Sequence, residues 1–330
     1  MHCWLTEHQI SCMMKSTEPT TPLNNADQGG TFLFLEKIMG NNSEKARIKK
    51  PTTFGEQVNI LKSRGLAIKD EERAIETLSR INYYRLSAYM LSYKADNKFY
   101  EGVSFDDVYS LYEFDKKLRS MIMGVLETIE VAFRTHISYI IAHKYGATGY
   151  ENQENFRNTT HHSNMMQKIK EEIERSDEVF VQHHKSAYEG VFPVWVVIEL
   201  TSFGLLSKIY NNMRDDDQNK IAGDYYNTKG EYVKSWLYAL SVFRNICAHY
   251  GRLYDRRLKI TPKLFRGDMK KGIKNDTVFS VLFITGRLLR NKSEWKNFVT
   301  NLTALIENTE QVDLKLMGFP DNWEEVLRTI

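Results

Sequence analysis

Apolar residues recur at steps of three and four along most of this chain. Between Pro51 and Pro193 no proline interrupts them, a pattern that favours long helices. Thr53 followed by Phe54 to Gly65 reads as a capped helix that stops at its glycine. Asp70 opens a second helix, through Ala74, Leu78 and Ile81 into the aromatic string Asn82 to Tyr89. Lys98 to Val103 reads as a short hairpin or loop. Ser104 then caps a long helix, with Phe105, Val108, Leu111, Tyr112, Asp115, Leu118 and Ile122 on one stripe; it continues or pauses near Gly124 and runs on to His136. Residues 146–164 are polar and without period, so a loop is expected, and Met165 to Gly190 reads as a charged helix pair. Phe192 to Tyr210 carries proline in its first turn, where a helix tolerates it, and is apolar nearly all round, so one central helix is expected there. Residues 211–224 read as a charged connector. Val278 to Leu289, Trp295 to Glu307 and a short segment after Gly318–Trp323 complete an all-α, multi-helix bundle.

One stretch, Ser235 to Leu258, carries more than packing. Val233, Trp236, Leu237, Leu240, Phe243, Cys247 and Tyr250 form an apolar stripe of helical period. At about 100° per residue, Arg244 falls inside that stripe, beside Leu240 and Cys247. A guanidinium there needs an anion or a wet pocket. Asn245 and His249 are i,i+4 neighbours on a flank. Gly251 is the expected C-cap, which leaves His249 in the last turn, free to swing toward an arginine otherwise displaced from it by about 140°. An arginine, an asparagine and a titratable histidine around one point suit phosphodiester chemistry without a metal.

Net charge is only +3 over 330 residues, but residues 244–274 hold ten Lys/Arg against two Asp/Glu, a balance of +8, leaving the remainder at −5. A basic segment that begins at the candidate arginine is what an RNA substrate requires. Three cysteines exclude a disulfide scaffold and point to a reducing cytoplasm. No apolar run reaches the ~18 residues of a membrane span. Residues 1–48, with Pro19 and Pro22 and no sustained period, read as a disordered leader or as sequence upstream of a later start, with Met13, Met14 and Met39 as candidates. His161/His162 and His183/His184 do not make a zinc site, since adjacent histidines on a helix diverge by about 100° and no Cys or acidic spacing completes a set.

Arg244-Asn245-x-Cys247-Ala248-His249 resembles the Arg-x4–6-His motif of HEPN-type ribonucleases, with the usual polar residue after the arginine. The longer string Arg244 to Leu258 resembles the Abi-like (abortive-infection) branch of that superfamily. So do Asn82 to Tyr89, the run Pro193-x-Trp195…Glu199…Ser202-Phe203-Gly204-x-Leu206-Ser207, and the Gly318-to-Trp323 ending. These strings lie in order across residues 49–330. A second Arg-x4-His copy, Arg157 to His162, lies in the polar stretch and is set aside as a loop.

The resemblance implies a HEPN-type bundle with extra N-terminal helices, residues 49–330 as the Abi-like domain and the motif at 244–249. It implies a metal-independent endoribonuclease without cofactor, in which the substrate 2′-OH attacks the adjacent phosphate to leave a 2′,3′-cyclic phosphate and a 5′-hydroxyl. Arg244 would stabilise the transition state, His249 act as general acid or base, and Asn245 hold His249 or the phosphate. Arg252, Arg256 and Arg257 would hold the RNA backbone. Glu130, Arg134 and Glu199 would support the site: Glu130 and Arg134 form an i,i+4 pair on a helix expected to pack on the motif helix, and Glu199, a carboxylate in an apolar run, needs a cation such as Arg244. One motif per chain implies a homodimer with the stripe as its interface. The implied role is phage defence or that of a toxin held in check by an RNA or protein antitoxin, in the cytoplasm and not in a membrane. The alternative is an RNA-binding or sensing defence protein that uses the same residues without cleavage. Control by nucleotide transfer to a tyrosine is disfavoured, because Gly251 stands where that variant has its tyrosine.

Overall fold

Capping residues fix most of the helix starts in the computed structural model, which describes residues 50–330; the leader and its candidate starts lie outside the described residues. Thr53 and Glu56 exchange hydrogen bonds in a capping box that opens α1 (Phe54–Ser63), and Gly65 turns the chain at φ +92°. Asp70 caps α2 (Glu71–Arg80). The helix expected to run on through Ile81 stops there, because the Asn82 side chain accepts the Tyr84 N–H and starts α3 (Tyr83–Ser87). A 3-10 turn (Ala88–Tyr93) leads to a hairpin of β1 (Lys94–Ala95) and β2 (Lys98–Phe99). Asp96 and Asn97 are both at positive φ in its tip, as a two-residue hairpin turn requires.

Ser104 and Asp107 form the capping box of α4 (Phe105–Tyr145), whose 41 residues make it the axis of the molecule, about 60 Å long. It passes Gly124 without a break. One glycine costs about 1 kcal/mol in a helix, less than the burial of Leu118, Ile122, Leu126 and Ile129 on either side contributes.

Three expectations change beyond α4. Asn158 caps α5 (Thr159–Arg175) inside the stretch expected to be a loop, and α6 (Val179–Ala187) follows. Phe192 to Tyr210 is not one helix. It is α7 (Val194–Val197), a 3-10 turn (Ile198–Leu200), extended backbone at Thr201, and α8 (Phe203–Asn212), restarted by the Ser202 hydroxyl. The charged connector is itself a helix, α9 (Asp215–Tyr226), with three aspartates in its first turn where the helix dipole favours them.

The motif helix is α10 (Gly230–Ala248), packed against α4, α8 and α9. After it come α11 (Arg266–Lys270), α12 (Val278–Leu288), α13 (Lys292–Glu307) and α14 (Trp323–Arg328). α12 also packs on α10 and is not amphipathic, since Val278 through Gly286 are buried without exception. Thr53–Ile330 forms one compact, all-α unit: fourteen α-helices and a single hairpin among the described residues.

Candidate functional site

α10 ends one residue before its histidine. Gly251 N–H donates to the Ile246 carbonyl (2.7 Å) and Tyr250 N–H to that of Cys247 (3.0 Å), the paired bonds of a Schellman motif with His249 as the C-cap. The left-handed position falls on Tyr250 (φ +58°) and not on Gly251, one residue earlier than expected. Gly251 is needed for closeness instead: a Cβ there would sit 2.8 Å from Ile246 Cγ2 and 3.0 Å from its carbonyl oxygen. Arg85 on α3 donates to the Tyr250 carbonyl (2.6 Å) and fixes the turn. The His249 side chain is exposed, beyond the last helical turn, with no hydrogen-bond partner among the described residues.

The apolar stripe is core and not an interface. Val233, Trp236, Leu237, Leu240, Phe243 and Cys247 are each at most 3% exposed within one chain, whereas Tyr250 is 68% exposed. Burial pushes the Cys247 thiol up to about 12. Arg244 shares that side of the helix, yet its long side chain reaches the surface and is 34% exposed. Its guanidinium stands 3.9 Å from Glu130 Oε2 on α4 and 3.5 Å from Asn245 Oδ1.

Glu130 is the hub of a row of charges. Its other oxygen accepts from Arg134 at 2.7 Å. Arg134 also donates to the Thr201 carbonyl (2.8 Å), and its buried Nε, without a hydrogen bond, faces Glu199 Oε2 at 4.0 Å. Burial pushes the Glu130 carboxyl above the usual carboxylate range, and Arg134 and Arg244 hold the rise in check. Glu199 therefore pairs with Arg134 and not with Arg244. It is also exposed, because the 3-10 turn after α7 swings it out of the core. The order Glu199–Arg134–Glu130–Arg244 joins α4, the turn after α7 and the motif helix.

Of the three arginines after the motif, two face inward. Arg252 donates to the Ala88 carbonyl (2.9 Å), and Arg256 Nε donates to the Arg252 carbonyl. Arg257 is exposed and faces the Asp276 carboxylate at 3.5 Å. The basic side chains left free are others: Lys259, Arg266, Lys270, Lys271 and Lys274 are exposed and without ion-pair partners among the described residues. The motif and net charge drew attention to the arginines nearest His249; only the path of the chain separates the paired cations from the free ones.

A buried carboxylate that sequence reasoning placed only as part of a stripe organises this segment. Asp115 on α4 is fully buried. It accepts the Tyr89 hydroxyl (2.7 Å), the Arg119 guanidinium and the backbone N–H groups of Leu253 (3.1 Å) and Tyr254 (2.7 Å). Arg119 reaches on to the Gly251 carbonyl (3.4 Å). The signal available in the sequence was an acid on an apolar face with an arginine four residues on.

The second Arg-x4-His copy is taken up by structure. Arg157 pairs with Asp215 (2.7 Å), Asn158 caps α5, and the buried His162 Nε2 lies 2.8 Å from the Tyr150 carbonyl oxygen. Among the described residues, no group of three or more His, Cys, Asp or Glu is placed to hold a metal ion, and no helix is long and apolar enough to cross a membrane.

A model of the Abi-like protein family matches residues 76–255, a span that contains Glu130, Arg134, Glu199 and the whole motif. The chain belongs to the Abi-like family, a membership consistent with abortive-infection defence against phage. No curated protein and no solved structure matches it.

Proposed function

We propose that the protein is a metal-independent endoribonuclease of the HEPN superfamily, acting in phage defence or as a restrained toxin, with Arg244, Asn245 and His249 as its catalytic set. The observation that carries this reading is the ion-pair row. A guanidinium that packing alone would bury is presented at the surface of the motif helix, held by Glu130, which Arg134 and Glu199 back in turn. A cation at the surface of the motif helix, five residues before an exposed imidazole at the end of the same helix, suits attack of a 2′-OH on its neighbouring phosphate. His249 takes or returns the proton, and Arg244 meets the charge that develops on the phosphoryl oxygens. The nucleophile belongs to the RNA, so no cofactor has a part in the step.

Lys259, Arg266, Lys270 and Lys271, together with Arg257, offer cations to the RNA backbone. Arg252 and Arg256 act there chiefly by shaping the turn. A homodimer would join the outward faces of α4 and α10, where Val131 and Tyr238 are half exposed, and bring two copies of the motif together. Restraint by an RNA or protein antitoxin in the cytoplasm belongs to the same reading.

The alternative, binding without cleavage, draws on the His249 ring, which has no described partner to fix its tautomer. Induced expression of wild type, Arg244→Ala and His249→Ala, with RNA examined for new 5′-hydroxyl ends, separates the two. Growth arrest with cleavage in wild type only is the expected result. Arrest without new ends, or equal toxicity of folded variants, would replace the nuclease with a binding protein.

A further inference from the structure

A groove of about 810 Å³ runs between the end of α5, the start of α6 and the turn after α7. Its walls carry Glu172, Asp177, Glu178, Val179, Phe180 and Glu199. The one base among them, Arg175, is already bonded to Glu172 (Nε to Oε2, 2.8 Å). Asp177 and Glu178 have no ion-pair partner among the described residues, and Glu199 has only Arg134 at 4.0 Å. Val179 is 84% exposed, Phe180 is exposed beside it, and α6 buries a single residue, Val181. Unpaired carboxylates around exposed apolar side chains are complementary to a ligand that is cationic and carries an apolar anchor. The same field repels a nucleic-acid backbone.

We propose that this groove docks a basic segment of a partner protein, with an aliphatic or aromatic anchor on Val179 and Phe180 and Lys or Arg on Asp177, Glu178 and Glu199. Glu199 is the outer end of the row that runs through Arg134 and Glu130 to Arg244. A cation on Glu199 competes with Arg134 for that carboxylate and so alters the charge set around Glu130. The partner thus reaches Arg244 electrostatically from a face whose acidic lining repels an RNA backbone. The docking surface itself does not depend on whether the site cleaves RNA.

The test is fluorescence anisotropy on the full chain with a labelled synthetic peptide of lysine and leucine at helical spacing. A glutamate/leucine peptide, a lysine/serine peptide and an RNA oligonucleotide serve as comparison probes. The lysine/leucine peptide is expected to bind, more weakly as salt rises. Asp177→Lys combined with Glu178→Lys should weaken it about tenfold or more, and Val179→Ser with Phe180→Ser severalfold. All four side chains are exposed, so the variants should fold, as circular dichroism will check. On the wild type the lysine/serine peptide should bind more weakly than the lysine/leucine peptide, and the glutamate/leucine peptide and the oligonucleotide should lose no affinity when the acidic residues are reversed. No binding at millimolar protein, undiminished binding to the charge-reversed variant, or an oligonucleotide whose binding is lost with the same acidic residues would each overturn the proposal. Because the readout is binding, a failure here is distinguishable from a failure of the nuclease reading.

Discussion

Asp115→Ala removes the acceptor on which four donors converge: the Tyr89 hydroxyl, the Arg119 guanidinium and the N–H groups of Leu253 and Tyr254. The carboxylate has no exposed surface and the Arg119 side chain is 7% exposed, so bulk solvent does not reach these donors. Removing one partner of a buried ion pair costs about 3–5 kcal/mol. Each backbone N–H left without an acceptor adds about 1–3 kcal/mol. The effects overlap, and a loss of about 5 kcal/mol is expected, a large part of the ~5–15 kcal/mol by which a typical domain is stable. Urea unfolding followed by tryptophan fluorescence measures it. The double variant Asp115→Leu/Arg119→Met separates the causes: it removes both charges but leaves the Tyr89 hydroxyl and the Leu253 and Tyr254 N–H groups unsatisfied, so a deficit of about 3 kcal/mol should remain. Amide exchange at Leu253 and Tyr254 should rise in both variants. A cost below ~1 kcal/mol for Asp115→Ala, or wild-type stability in the double variant, would refute the reasoning that this carboxylate holds the segment after the motif.

Two further outcomes are expected. His136 is buried on α4, stacked on Tyr225 (3.7 Å between ring centroids) with the Tyr226 hydroxyl 3.3 Å from Nδ1; burial, with Arg290 adding, lowers its pKa to about 4. The unfolded imidazole takes its proton near pH ~6.5, so the unfolded state binds more protons between there and about 4, and stability should fall by ~3 kcal/mol as pH drops through that window. A His136→Gln variant whose urea midpoints keep the wild-type pH slope would contradict this. Tyr250→Gly relieves a left-handed backbone at an exposed side chain and should raise stability by about 1 kcal/mol; an unchanged or lower melting temperature would count against strain at that turn.

Much of the helix pattern was legible because its causes are local. Thr53, Asp70 and Ser104 cap the helices expected of them, since a side-chain oxygen and an N–H three residues on are joined by short-range geometry. Where sequence reasoning misplaced elements, the cause was also local but outvoted. Ser202 restarts a helix inside a run whose apolarity argued for continuity, and three aspartates start α9 in a stretch whose charge argued for a connector. Tyr250, and not Gly251, takes the left-handed residue because the helix ends one position early and glycine is required next, against Ile246. The pairing of Glu130 with Arg134 follows from spacing, but Glu199's choice of Arg134 over Arg244 depends on how the turn after α7 lies against α4.

By itself, then, the amino-acid order determined an all-α chain and the motif helix with its apolar stripe, and it singled out the residues proposed to carry its chemistry. Only the tertiary structure decided which charges are free. Arg252 and Arg256 are drawn inward by backbone carbonyls, and Asp115 meets Leu253 from 138 positions away. Periodicity reports which face of a helix is buried; it carries no information about which distant segment will bring the unpaired N–H and C=O groups that a buried charge must satisfy.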